Sequence, residues 1–138
     1  MLSLDVIWKD PDLVECRVRA IGERFAALAD IYFTVDSLRE LADTVAAFPK
    51  SATDHREFAT ENFASGGNTF RVSLDCVDAT AHAVAIIELA DYEDSRQSAV
   101  VRFPVSASDV DQFETALRMM SATEKGSATL GSAAPVSA

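Results

Sequence analysis

The sequence predicts an α+β domain: an antiparallel β-sheet of about six to seven strands with two packed α-helices, in the order β-β-β-α-β-β-β-β-α. Three observations lead there. Residues 69–105 hold three apolar-rich stretches joined by short polar connections. Apolar stripes at helical spacing follow Ser37 and Ser106, each behind a capping sequence. The chain has 138 residues, 49% of them hydrophobic, which suffices for one domain with a substantial core.

In the first stretch, Phe70, Val72, Leu74 and Cys76 alternate with Arg71, Ser73 and Asp75. Period two marks a half-buried strand. In residues 83–90 both alternating sets are largely apolar, which predicts a central strand covered on both faces. In the third, Ala99, Val101, Phe103 and Val105 share a face. The three form an antiparallel meander.

Upstream, residues 3–8 suit a short strand ending at Trp8, and Lys-Asp-Pro-Asp at 9–12 is a turn. Val14, Cys16, Val18 and Ala20 alternate with Glu15, Arg17 and Arg19. After a hairpin connection at 22–24, Phe25, Ala27, Ala29, Ile31, Phe33 and Val35 alternate in a third strand. Ser37-Leu-Arg-Glu40 fits a capping box, with Leu38, Leu41, Ala42, Val45 and Phe48 on one helical face and Pro49 as the stop. Residues 57–63 read as a weaker strand and Ser65-Gly-Gly-Asn68 as a turn. Ser106 caps the last helix, whose buried stripe is Val110, Phe113, Leu117 and Met120. The domain spans 1–122. Residues 123–138 are small, polar and aperiodic, and are expected to form a disordered tail.

The formal net charge of −10 argues against binding nucleic acid or an anionic membrane. It suits a basic protein partner. The N-terminus has an acid at position 5 and no early basic cluster, unlike a signal peptide, and the apolar run 83–87 is far too short to span a bilayer. A cytoplasmic location is expected. Cys16 and Cys76 each lie on an apolar strand face and read as buried free thiols.

No catalytic, cofactor-binding or metal residue is assigned. His55 lies between Asp54 and Glu57, and His82 follows Asp78 and Thr80. A base beside a carboxylate is one element of acid–base catalysis, yet no nucleophile stands at a recognised spacing. Glu88, Asp91, Glu93 and Asp94 read as a solvated acidic turn without the EF-hand pattern. Gly66-Gly67 lacks phosphate-loop spacing. Arg17, Arg19, Arg71 and Arg102 read as the wet side of a sheet, paired across strands with Glu15 and Asp75. Trp8, the single tryptophan, suits either an interface anchor or a cap on the edge of the core.

The order of elements, with Ser37-Leu-Arg-Glu-Leu-Ala-Asp-Thr-Val-Ala-Ala-Phe-Pro49 and Phe103-Pro-Val-Ser-Ala-Ser-Asp-Val-Asp-Gln-Phe113, resembles the WapI-type bacterial immunity proteins and their relatives, across about residues 13–120. The resemblance implies a non-enzymatic protein that neutralises a toxin by binding it. The reading is therefore a protein–protein interaction module and not an enzyme. A ligand-binding protein or enzyme with a pocket between sheet and helices is the alternative. A homo-oligomer joined through an exposed edge strand is the third.

Overall fold

A computed structural model describes residues 1–60, 68–80, 82–91 and 97–132. Its elements are β1 (Leu2–Lys9), β2 (Val14–Ile21), β3 (Ala26–Phe33), α1 (Val35–Val45), β4 (His55–Ala59), β5 (Thr69–Cys76), β6 (Ala83–Ala90), β7 (Ser98–Val105), α2 (Ala107–Thr123) and β8 (Ser127–Leu130). The α+β class holds, with two helices and eight strands among the described residues. The strands form two four-stranded antiparallel sheets, β3-β2-β1-β8 and β4-β5-β6-β7, where one sheet of six to seven was expected. Alternation marks which face of a strand is buried but carries no information on which strands share a sheet.

The order repeats a three-strand meander followed by a capped helix, once as β1-β2-β3-α1 and again as β5-β6-β7-α2. β4 and β8 add one outer strand to each sheet. Their inner faces share one core, which includes Leu2, Cys16, Ile31, Phe70, Ile87 and Phe103.

β7 crosses the ends of the first sheet. Its start lines a hollow with Ala26–Ala29 of β3. Further on, a Cβ at Gly22, just past β2, would stand 2.9 Å from Val101 Cγ1. Beyond β8, a Cβ at Gly131 would stand 3.4 Å from the Phe103 ring. A strand that meets β3, β2 and β8 in turn crosses them, as in orthogonal sheet packing. Gly22 is glycine because the β2–β3 turn comes that close to β7. The two helices pack on each other, α1 against β4 and α2 against β8.

Several expectations are corrected. α1 starts earlier than the Ser37 box implied: Thr34 is its N-cap. The Thr34 hydroxyl accepts from the Ser37 amide at 2.9 Å, and Ser37 Oγ accepts from the Thr34 amide at 2.8 Å. Two overlapping boxes exist in the sequence, and the end of β3 at Phe33 selects the first. The first strand after α1 starts at His55 and ends at Ala59, not over 57–63; residues 61–63, like the turn residues 65–67, lie outside the described residues. β6 is inner in its sheet, but only Ala83, Ala85, Ile87 and Leu89 are buried; Val84 and Ile86 are partly open and Glu88 is exposed. Phe25, expected inside, is 76% exposed. The expected tail contributes Thr123 to α2 and residues 127–130 to β8, which pairs with β1 from Leu2↔Leu130 to Asp5↔Ser127. Residues 133–138 lie outside the described residues. α2 is as expected, with Ser106 as N-cap and Val110, Phe113, Leu117 and Met120 buried.

Arg56 ties α1 to β4. Its Nη1 donates to the carbonyls of Thr44 and Ala46 at 2.8 and 3.0 Å, at the negative end of the helix dipole. Nε and Nη2 fork onto Asp54, both at 2.8 Å, and the guanidinium lies 5.6 Å from the centre of the Phe48 ring. These hydrogen bonds, those from Arg56 foremost, pull the Asp54 carboxyl down to about 2. Arg56→Ala is expected to cost roughly 2–3 kcal/mol in urea unfolding, because it removes the fork from Asp54, which keeps the Lys50 amide, and leaves the Thr44 and Ala46 carbonyls without this donor. The folded carboxyl titrates below its ordinary value of 3.8, so its stabilisation is complete above about pH 4 and is lost as pH falls towards about 2. Stability measured from pH 5 to 2 should fall less steeply in the alanine variant.

Candidate functional site

Both histidines have carboxylate partners. On the outer face of the second sheet, His55 Nδ1 lies 2.5 Å from Asp75 Oδ1 and Nε2 lies 3.7 Å from Glu57 Oε2. The Asp75 hydrogen bond raises the imidazole above its ordinary value. Carboxylates beside both nitrogens favour the protonated form of the imidazole.

His82 closes the exposed turn after β5. Its Nδ1 lies 2.9 Å from Asp78 Oδ2 and 2.8 Å from Thr80 Oγ1. Thr80 Oγ1 lies 2.6 Å from Asp78 Oδ1, and its amide also donates to that oxygen, at 2.8 Å. These hydrogen bonds, that of the Thr80 hydroxyl first, hold the Asp78 carboxyl well below the usual carboxylate range. In a nucleophilic triad the acid and the nucleophile sit on opposite nitrogens of the histidine. Here both contact Nδ1, so the group works as a hydrogen-bonded turn.

The remaining candidates resolve as follows. Arg17 pairs with Asp30 and Arg71 with Glu57, while the expected partner Asp75 belongs to His55. Cys16 and Cys76 are free and lie in different sheets. Burial pushes the Cys16 thiol up to about 12, which leaves it an inert core residue. Glu93 and Asp94 lie outside the described residues. Among the described residues no group of three or more His, Cys, Asp or Glu is placed to hold a metal ion, and no helix is long and apolar enough to cross a membrane.

Three of the surface hollows are lined by described residues near the strands. Tyr32, Thr34, Ser37, Glu40, Phe58, Ala59 and Thr60 line one of about 170 Å³ beside the start of α1. Small-molecule sites commonly hold about 300–1,000 Å³. The other two adjoin along β7. Ala26–Ala29 and residues 97–99 line one of about 490 Å³, and residues 22–25 and 100–102 line one of about 280 Å³. Neither histidine lines any of the three.

The surface along β7 carries three large exposed apolar side chains: Phe25 at 76%, Leu28 at 61% and Val100 at 57%. Among the described residues β3 and β7 are the outer strands of their sheets, each with a ladder on one side, and the β2–β3 turn approaches β7 at Val101 and Arg102. Asn68 Nδ2 donates to the Asp30 carbonyl of β3, at 3.3 Å. Ahead of it, Ala26 and Leu28 meet the hollow. Sequence alternation placed Phe25 in the core because it continues the period of Ile31 and Phe33. The β2–β3 turn lifts it out, with the Gly22 amide donating to the Phe25 carbonyl at 2.8 Å.

No family model, no curated protein and no solved structure matches this chain.

Proposed function

We propose that this chain is a non-enzymatic protein-binding module, with the neutralisation of a basic toxin as its specific role. One observation carries the first part: Phe25, Leu28 and Val100 lie exposed along an open groove bordered by two strand edges. Exposed apolar side chains gathered on one surface mark an interaction site, and an open strand edge offers backbone donors and acceptors to an extended segment. The net charge of −10 and the resemblance to immunity proteins support a basic toxin as the partner.

The test is affinity capture at low salt from the native lysate, with the native chain and the Phe25→Ser/Leu28→Ser variant compared by mass spectrometry. A stoichiometric basic protein held by the native chain, released by the variant and weakened by added salt is the expected result. Equal retention by both contradicts the groove as the binding surface.

A further inference from the structure

Between Val6 and Trp8 the β1–β2 register shifts by one residue. Val6 stands opposite Cys16, yet Trp8 stands opposite Glu15, so Ile7 is the extra residue of a bulge. Without it Trp8 would pair with Val14 and face the core. With it Trp8 joins the outer face, opposite Glu15, which is opposite Tyr32 on β3. Directly paired residues share a face, so Trp8, Glu15 and Tyr32 form one row across three strands.

The row has an aromatic ring on each side of a carboxylate. Trp8 is 49% exposed and Tyr32 half-buried. Glu15 and Tyr32 are direct partners across β2 and β3, and the Glu15 charge raises the Tyr32 hydroxyl above its ordinary value. Among the described residues no cation forms a salt bridge with Glu15. Arg17, two residues on along β2, feels the Glu15 charge but is forked onto Asp30, at 3.1 and 3.3 Å, and Lys9 pairs with Glu124. The row also continues the groove surface, since Leu28, Asp30 and Tyr32 follow one another on the outer face of β3. From Leu28 to Tyr32 is about 13 Å, well inside one ordinary interface.

We infer that the Trp8–Glu15–Tyr32 row receives an arginine side chain of the protein partner. A guanidinium stacks on an aromatic face and forks onto a carboxylate, and a lysine ammonium does only part of this. The net charge of −10 favours a cationic visitor. This rests on the protein-binding reading but is tested without the partner. The probe is a labelled, end-capped hexa-arginine peptide, with hexa-lysine and uncharged hexa-citrulline peptides for comparison. Binding is followed by peptide anisotropy and by the emission of Trp8, the only tryptophan.

The expected result is saturable binding of the arginine peptide with a change in Trp8 emission, weaker binding of the lysine peptide and none of the citrulline peptide. Glu15→Gln and Trp8→Ala should each weaken the arginine peptide by about tenfold, and Asp111→Asn, which removes one charge on α2, should leave it unchanged. Circular dichroism melts check that the variants are folded. Equal weakening by Asp111→Asn and Glu15→Gln, or equal binding of arginine and lysine peptides, overturns the inference and leaves the groove test untouched. Loss of partner capture in Phe25→Ser/Leu28→Ser with the peptide result negative would place the partner on the groove alone.

Discussion

Replacing Phe113 with alanine is expected to lower stability by about 3–5 kcal/mol, the largest effect of any single substitution considered for this chain. The side chain is 0% exposed. It lies on the stripe of α2 with Val110, Leu117 and Met120, and α2 in turn packs on α1 and β8. Truncation removes the transfer energy of the ring and leaves a void lined by elements held elsewhere, which limits collapse into it. Urea or thermal unfolding measures the loss. An unchanged midpoint would remove α2 from the core.

Leu130→Ala should cost about 2–5 kcal/mol, an effect no disordered terminus would show. Leu130 is fully buried, and its backbone pairs opposite Leu2 at the end of β1. Ala128, two residues earlier, is also buried and stands opposite Leu4. Thr129, between them, faces outward and serves as the comparison, with Thr129→Ala expected near zero. Equal, negligible changes from both would return residues 127–130 to an unstructured tail.

β8 shows where reading the sequence stops. Two inward residues, Ala128 and Leu130, are too few to establish a period, and serine and threonine between them look like a linker. The strand exists because β1 offers an edge and α2 delivers the chain to it, which is tertiary information. The bulge at Ile7 is hidden for the same reason: one extra residue in β1 has meaning only against β2. By contrast β2, β5 and β7 alternate over eight residues each, and each packs one face on the core, so their inward residues could be read directly. The cap of α2 was legible because Ser106 and Asp109 satisfy each other within a single turn: Ser106 Oγ accepts from the Asp109 amide at 3.1 Å, and Asp109 Oδ2 accepts from the Ser106 amide at 2.8 Å. At α1 two such boxes overlap, and only the end of β3 decides between them.

The candidate surface was less legible than the fold. Trp8 suits either an interface anchor or a core cap by sequence; in the structure it is half exposed, in a row with Glu15 and Tyr32. Phe25 and Leu28 belong to a stretch whose alternation favours a buried strand, and only the crossing of β7 past the β2–β3 turn leaves them open. The sequence drew attention to the histidines instead. Their partners prove to be carboxylates, on a sheet face and in a turn.

Protein binding along β7 is tested most directly by hydrogen exchange on the captured complex, compared with the free chain. New protection at the amides of Ala26, Leu28, Ser98 and Val100 is the predicted footprint, because a bound partner would cover the outward amides of β3 and β7, while Ala99 and Val101 are already bonded to β6. A complex that protects only the helices, or the far edge of the second sheet at β4, would contradict it.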